Sequence, residues 1–404
     1  MRRVPQGSKV IILGVTMKSQ FRAERIHTIV IGGGQAGLSA GYHLAKQGIN
    51  FLILDANNRI GNSWRNRWDS LRLFTPARYV ELPGMRFPGD GGGFPTKDEI
   101  ADYLEFYAEH FKLPVQCGVK VERLSKNGDH FLIHAGRLQY EADNVIVAMA
   151  DYQVPKIPAF AHNLNASTLQ LTPQSYKNPS QLQEGGVLVV GVGNSGADIA
   201  IDVARSHSTW IAGKESGHIP WDIKSLFARQ VAFRIIRFLG HHILTLSTPM
   251  GRKARPNMLH RATPLIRVKP KDLVDAGIER VGRVIGVRGG KPLLEDGRTL
   301  EVKNVIWCTG YNPGFSWIDL PAFNEEGGPS QVRGISKVPG LYFLGLHFQY
   351  SMSSATLIGI GRDAEYVVHN LKARSRFAER SKQIRTMPLA PKAEPVPIGY
   401  ARKA

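Results

Sequence analysis

The stretch "TIVIGGGQAGLSA", residues 28–40, decides the fold of this chain, and "LVVGVGNSGADIA" at 188–200 repeats its pattern. In the first, Ile26 and Ile29-Val30-Ile31 form a short apolar, β-branched run that reads as a buried parallel strand. Gly32-Gly33-Gly34-Gln35-Ala36-Gly37 follows as a G-x-G-x-x-G turn. Leu38, Tyr42, Leu44 and Ala45 then share one helical face, and Gly48 ends the helix. "FLILD" (51–55) is the next apolar strand and closes on Asp55. Each part has a task in holding a dinucleotide. Gly32 permits the tight turn, Gly34 lets a pyrophosphate approach the backbone, and Gly37 lets helix and strand pack closely. The helix N-terminus offers amides and a partial positive charge to phosphates. Asp55, 23 residues after Gly32, is placed to accept hydrogen bonds from a ribose diol.

The second stretch has the same parts with one change. "VLVV" is the strand, Gly191-Val192-Gly193-Asn194-Ser195-Gly196 the turn, "ADIAIDVAR" the helix and "TWIAGK" the next strand with its end. Gly213 and Lys214 stand where a carboxylate would grip a 2′-hydroxyl, and a lysine there suits a 2′-phosphate, favouring NADPH over NADH. Glu215 beside it is a countervailing charge. Ser195 is not a nucleophile, because G-x-S-x-G would need glycine where Ala197 stands. Two such turns hold two dinucleotides. Enzymes that pass hydride from a nicotinamide to a flavin need both rings in one cleft, with the cofactors carrying the chemistry.

The full chain of 404 residues, 43% hydrophobic and 21% charged, reads as a multidomain α/β protein. No run of 18 apolar residues suggests a membrane span. Residues 1–16 read as a dispensable extension before Met17 rather than a signal peptide, since no small-residue cleavage site follows Val10–Val15. Cys117 and Cys308 lie far apart without a CxxC, and no Cys/His ligand cluster indicates a metal. The net charge of +19 is concentrated, with 13 Lys/Arg against 4 Asp/Glu from Asp222 to Arg283, and nine against two from Lys372 onward. No groove-entering motif accompanies it, so nucleic-acid binding is not expected. A solvated basic surface is the plain reading, and attraction of anionic cofactors or a membrane surface the functional one.

Between the loops, "NNRIGNSWRNRWDSLRLFTPARYVELPG" (57–84) is long and aperiodic, as functional loops are. Thr96 and Glu99 form a capping box, and Ile100, Tyr103, Leu104 and Tyr107 give its helix one apolar face. A β-meander turning at Asn127-Gly128 closes on the strand 144–148, and a second, turning at Asp296-Gly297, precedes "CTG". "VPKIPAF" (154–160) makes a stiff crossing between domains, and the chain returns near Thr309-Gly310. Ser225–Leu246 reads as one long helix, either packed on the core or lying as a basic amphipathic helix on a membrane or at a substrate entrance.

The two glycine turns, the loop "GNSWRNRWDSLRLFTPARY", "CTGYNP" and the late "GLHFQYSMSSATLIGIGRDAEYV" together resemble the class B flavin-dependent monooxygenases, in the bacterial branch similar to plant YUCCA enzymes. The resemblance spans roughly residues 26–370. It implies two Rossmann-like dinucleotide-binding domains of three-layer ββα type, each with a β-meander insertion. Residues 26–155 and 309–371 would form the FAD-binding domain and 156–308 the NADPH-binding domain. Residues 1–25 would be an extension and 372–404 a basic, flexible tail. Carried across, Gly32, Gly34, Gln35, Ala36, Gly37 and Asp55 contact FAD, with Asn62, Ser63 and Trp64 beside the flavin. Gly191, Gly193, Asn194, Ser195, Gly196 and Lys214 match NADPH positions, and Thr309 and Gly310 match a strand end at the domain crossing. A helix beginning near Ser354 would aim its amides at the flavin's pyrimidine edge.

The resemblance implies that NADPH reduces FAD, that O2 adds at the flavin C4a carbon as a hydroperoxide, and that one oxygen atom passes to a small sulfide, amine or carbonyl compound. NADP⁺ stays bound and keeps water out. No catalytic side chain is named, because positioning and exclusion are the protein's part. Trp64, Phe74, His347, Gln349 and Tyr350 flank the flavin motifs as candidate lining. Two elements depart from the family. Its first "ATG" is Ala148-Met149-Ala150 here. In the fingerprint FxGxxxHxxx(Y/F) only Tyr176 survives, with Thr172, Thr168 and Ala166 at the His, Gly and Phe positions. That loss feeds an alternative, an NADPH:flavin reductase or oxidase releasing hydrogen peroxide. A nucleotide-binding, membrane-associated regulator is the non-enzyme alternative. A cytoplasmic, membrane-peripheral location fits the basic helix, and no motif specifies an oligomeric state.

Overall fold

In the computed structural model, which describes residues 24–214, 217–260 and 263–386, the chain builds a nine-stranded mixed sheet and a five-stranded parallel sheet joined by a double crossing. β1 (Glu24–Ile31), α1 (Gln35–Lys46) and β2 (Phe51–Asp55) form the first strand–turn–helix–strand unit, with Thr28 opposite Phe51 and Ile31 opposite Leu54. After α2 (Asn62–Arg65), α3 (Lys97–His110) starts on the expected capping box. Thr96 accepts the Glu99 amide, and the Glu99 carboxylate accepts the Thr96 amide at 2.7 Å. The expected face of α3, Ile100, Tyr103, Leu104 and Tyr107, is buried against α1 in one cluster. β3 (Val115–Cys117) joins the sheet edge. β4 (Arg123–Asn127), β5 (His130–Ala135) and β6 (Leu138–Val147) form the meander, turning at Asn127-Gly128. β6 is long because its first half pairs with β5 while the stretch from Tyr140 runs parallel to β1.

The first crossing is β7 (Val154–Pro155). Beyond it, β8 (Leu169–Leu171), β9 (Val187–Val190), α4 (Asn194–Val203) and β10 (Thr209–Ala212) repeat the strand–turn–helix–strand design. Within the basic segment come α5 (Phe233–Phe238), α6 (Pro249–His260), α7 (Pro270–Asp275) and β11 (Glu279–Val281). β12 (Val284–Arg288) and β13 (Lys291–Leu294) make a hairpin, and β14 (Asn304–Trp307) enters the middle of the sheet. The order is β11-β10-β9-β14-β8, all parallel. β15 (Tyr311–Asn312) pairs antiparallel with β7, so the two crossings lock to each other. The chain then returns to the first sheet through β16 (Gln331–Val332), β17 (Ile335–Ser336) and β18 (Leu341–Phe343). β18 lies parallel to β6, and α8 (Ile360–Thr386) packs on α1.

Each sheet is covered on both faces, as continuous apolar strands require. Helices α1, α3 and α8 share one cluster, while the meander and residues 315–323 cover the other face. In the second domain, α4 covers one face and the β12–β13 hairpin the other. Trp68 of the aperiodic loop is buried inside the second domain's core beside Tyr176, and the Asp69 amide donates to the Lys177 carbonyl at 2.8 Å. The loop therefore ties the two domains together.

Four expectations need correction. The helix placed near Ser354 starts at Ile360. Ser354 Oγ accepts the Tyr350 and Ser351 amides at 3.0 and 2.9 Å, so serine side chains hold 350–354 in turns and compete with helix. At its far end α8 runs on to Thr386, past the boundary at 371 where a flexible tail was expected, with its buried stripe (Ala364, Val367, Val368, Leu371) in its first half; residues 387–404 lie outside the described ones, as do 1–23. The second meander reduces to a hairpin whose strands turn at Gly289-Gly290, both at positive φ, and Asp296-Gly297 makes a second, shorter turn. Finally, the long basic helix spans 226–243 but carries two wider π-type turns, at Ala228–Ala232 and Leu239–Ile243.

Ala150, at the position of the family's glycine, sits at φ 58°, a left-handed conformation that costs a non-glycine residue about 1–2 kcal/mol. Ala150→Gly is expected to raise stability by about 1 kcal/mol, after glycine's own backbone-entropy cost. The readout is a higher urea midpoint at unchanged slope; an unchanged or lower midpoint would count against the strain.

Candidate functional site

The two glycine turns superimpose in their chemistry, contact for contact. Gly32 has φ 109° and its amide donates to Leu54 O at 2.8 Å; Gly191 has φ 117° and its amide donates to Ala212 O at 2.8 Å. A Cβ on Gly32 would meet the Ala148 carbonyl oxygen at 2.8 Å, and one on Gly191 the Cys308 carbonyl oxygen at 2.2 Å. A Cβ on Gly37 would lie 1.9 Å from Gly32 O, and one on Gly196 1.9 Å from Gly191 O. These glycines are dictated by backbone packed on backbone. The middle glycines differ in kind. A Cβ on Gly34 or on Gly193 meets nothing within 4 Å, although both have ordinary negative φ. The protein leaves that side open in both turns.

The helices behind the turns are uncapped. Gly34 and Gly193 are the N-caps of α1 and α4, neither helix has a side-chain cap, and neither has an acid in its first turn. Gln35 and Ala36 open α1; Asn194, Ser195 and Gly196 open α4. Amide donors with no protein partner, facing space that a side chain would fill, fit the pyrophosphate of a dinucleotide. The Asn194 side chain is occupied in bracing: its Oδ1 accepts the Ile266 amide at 2.9 Å and its Nδ2 donates to Pro264 O at 3.0 Å.

The acids after the turns separate the two sites. Asp55, buried, accepts the Gly33 amide at 2.6 Å on Oδ2 and both the backbone and side-chain N–H of Asn57 at 2.7 and 2.9 Å on Oδ1. It braces the first turn, and a carboxylate's roughly four acceptor sites leave one for a ribose hydroxyl. In the second unit Gly213 stands at φ 138° and the next residue, Lys214, is exposed.

Around the first turn, Gly345 stands at φ 86° with its Cβ position 3.1 Å from Ala36, so the segment after β18 abuts the start of α1. Asn62 and Trp64 are half-buried in α2 and Ser63 is exposed; Gly61, at φ 85°, presses on Ala101 of α3 and fixes this turn. At the crossing the Lys156 amide donates to Gly310 O at 2.9 Å and the Thr309 hydroxyl donates to Lys156 O. Of the expected lining, Phe74 is exposed and Trp64, His347 and Tyr350 are half-buried. Gln349 is removed from that set. It is fully buried, its Nε2 donating to Phe343 O at 3.0 Å and its Oε1 accepting the Leu346 amide at 3.2 Å, which makes it a brace of the loop. The surviving fingerprint residue, Tyr176, is also structural, its hydroxyl donating to Asp202 at 2.9 Å inside the second core.

Asp151 escaped sequence reasoning. Its Oδ2 accepts the His347 amide at 2.9 Å, joining the first crossing to the segment after β18. Burial pushes its carboxyl above the usual range, and the His347 amide opposes that shift. The only signal was its place directly after Ala150. Burial pushes the Cys308 thiol up to about 12. Among the described residues no cluster of His, Cys, Asp or Glu could hold a metal.

Residues 29–217 match the family model described as "Pyridine nucleotide-disulphide oxidoreductase". The chain is 40% identical over 351 residues to "Uncharacterized oxidoreductase CzcO-like" of Geobacillus kaustophilus (strain HTA426), covering 86% of this chain and 98% of that protein. It is 28% identical over 394 residues to "Probable indole-3-pyruvate monooxygenase YUCCA3" of Arabidopsis thaliana, covering 88% of each. Among solved structures, the flavin-containing monooxygenase from Stenotrophomonas maltophilia matches with a TM-score of 0.68 at 27% identity, over 87% of this chain and 99% of that one.

The open middle glycines give a contrast between variants. Gly34→Val is expected to fold with stability within about 0.5 kcal/mol of the parent, since its Cβ meets no protein atom within 4 Å, yet to purify without flavin. Gly193→Val is expected to keep flavin and lose NADPH binding. Gly37→Ala and Gly196→Ala, which collide at 1.9 Å, are expected to fail to fold. Thermal melts and flavin absorbance check all four, and flavin retained in Gly34→Val would contradict the assignment.

Proposed function

The chain belongs to the class B flavin-dependent monooxygenases and works with FAD and NADPH, and on that premise we propose that its first glycine turn holds FAD and its second NADPH. The observation that carries this assignment is the paired opening at Gly34 and Gly193, each in front of an uncapped helix. The amides of Gln35, Ala36 and Gly37 would face the FAD pyrophosphate, with Gly32 shaping the turn and Asp55 accepting a ribose hydroxyl. Those of Asn194, Ser195 and Gly196 would face the NADPH pyrophosphate, with Gly191 shaping that turn. Lys214 would meet the 2′-phosphate. Asn62, Ser63 and Trp64, on the short helix α2, would flank the isoalloxazine. Thr309 and Gly310 hold the crossing against Lys156 and so set the angle between the two seats.

When bound, the flavin supplies hydride acceptance and activation of O2, which no side chain here could perform. The chain's own work is to bind, orient and keep water out. Its substrate on this reading is a small sulfide, amine or carbonyl compound, oxygenated at the expense of NADPH and O2. Sites of this kind need no acid–base pair among their side chains. Both cysteines are free, which fits a reducing, cytoplasmic compartment. The segment 225–246 fits a peripheral membrane contact, and no described helix is long and apolar enough to cross a membrane.

One structural feature bears on coupling. Thr172, in the fingerprint's histidine position, is bound locally: its amide donates to Ser175 Oγ at 2.9 Å and its carbonyl accepts the Tyr176 amide. Its hydrogen bonds stay within residues 172–176, and on this reading part of the reducing equivalents leaves as peroxide. The test is to measure NADPH consumed, hydrogen peroxide released and product formed across a panel of sulfides, amines and ketones. Product from at least one class supports the proposal; complete diversion to peroxide across the panel contradicts it. Lys214→Glu is expected to raise KM for NADPH by at least about tenfold through loss of a charge-assisted contact, with KM for NADH little changed. Equal effects on both nucleotides would remove Lys214 from the 2′-phosphate site.

A further inference from the structure

The helical stretch 226–243 is built inside out. Its inward side is small, with Ala228, Ala232 and Gly240 buried beside a single large residue, Phe233. Gly240 is required there, since a Cβ would meet Met352 at 2.9 Å. Its outward side carries the large apolar residues. Phe227 is 57% exposed, Val231 43%, Ile235 51% and Phe238 57%, one above the next at helical spacing. Water-facing helices put such residues inward, so this face is made to be covered.

Charge says what covers it. From Ile223 to Lys271 the chain has eleven Lys/Arg and no Asp or Glu. Arg234 and Arg237 are exposed on the helix, and Met250, Arg252 and Lys253 of α6 are exposed nearby in sequence. Beside Phe238, Arg78, Arg234, Arg237, His241 and His242 line an open hollow of about 550 Å³. Burial, then Arg362 and Arg237, pull the His241 imidazole down to about 4. Arg78, Arg234 and Arg237 supply fixed positive charge to the hollow. A second copy docking this face on itself would set arginines against arginines. The chain's own terminal segments, 1–23 and 387–404, also carry excess positive charge.

We propose that the 226–243 face docks on an anionic lipid bilayer, its apolar row entering the headgroup boundary and the arginine-lined hollow receiving a lipid phosphate. Apolar insertion and attraction to anionic lipid add in such a contact, and each basic side chain near the surface contributes about 1 kcal/mol. The helix lies on the surface and does not span. His241 joins the hollow to the segment before α8, its Nε2 donating to Ile358 O at 3.1 Å, so the docked side borders the first domain's late loop.

The test is co-sedimentation of the full-length FAD-loaded protein with vesicles of pure phosphatidylcholine or of phosphatidylcholine with one quarter phosphatidylglycerol. Binding is expected to the anionic vesicles, at least about tenfold weaker to the neutral ones, and weakened by salt. Arg234→Glu/Arg237→Glu is expected to weaken it at least about thirtyfold, the equivalent of two basic contacts. Ile235→Asp/Phe238→Asp is expected to abolish it. Retained flavin absorbance and melting temperature verify that both variants fold. No binding by the parent protein, equal binding to neutral vesicles, or binding untouched by either variant overturns the proposal, the last assigning it to the terminal segments. Inorganic phosphate competing as strongly as vesicles would assign the hollow to a free anion, and a parent dimer dissolved by Ile235→Asp/Phe238→Asp would assign the face to a second copy. NADPH oxidation in lipid-free solution is independent of every one of these outcomes.

Discussion

The structure depends on a backbone–backbone approach that only glycine permits. At Gly37 over the Gly32 carbonyl, and at Gly196 over the Gly191 carbonyl, a helix starts so close to the preceding strand that a Cβ would lie 1.9 Å from an oxygen. That approach sets the helix N-terminus against the carboxyl ends of the strands, where amides and the helix dipole can meet phosphate. Everything else supports those two places. The strands order themselves so that each turn sits at a sheet centre, the crossings β7 and β15 pair to hold the domains in register, and the Trp68 loop pins one domain into the other's core.

The two turns share a frame and differ in the residues around it. The first is reinforced by a buried acid that takes the Gly33 amide; the second has glycine and then an exposed lysine at the corresponding strand end. A frame repeated in its glycine contacts, with different charges at its rim, is what a protein needs to seat two dinucleotides and tell them apart. On the proposed assignment, the shared frame would supply affinity for pyrophosphate, common to both ligands. Discrimination falls to the rim, where a ribose diol asks for an acceptor and a 2′-phosphate for a cation.

Much of this was legible in the sequence wherever the cause is local. The glycine spacing, the Thr96–Glu99 box, the Asn127-Gly128 turn and the apolar strands each carry their physics within a few residues. What was illegible depends on distant partners. Nothing near Gln349 announces that Gly334 and Phe343 close around it and turn a candidate lining residue into a brace. The serines at 351, 353 and 354 look compatible with a helix start, and their side-chain bonds to backbone decide otherwise. In the 226–243 stretch the large and small residues could be read off the sequence, but which of the two faces meets the core could not. The left-handed Ala150 shows the reverse case: the sequence departs from glycine while the backbone keeps glycine's conformation.

The account stands on one cleft that brings a flavin and a reduced nicotinamide together. The most direct measurement is anaerobic addition of NADPH to the FAD-loaded protein, followed by flavin absorbance. The account predicts stoichiometric bleaching, restored when air is admitted. A flavin that stays yellow under excess NADPH would contradict it, because two dinucleotides seated apart cannot exchange a hydride.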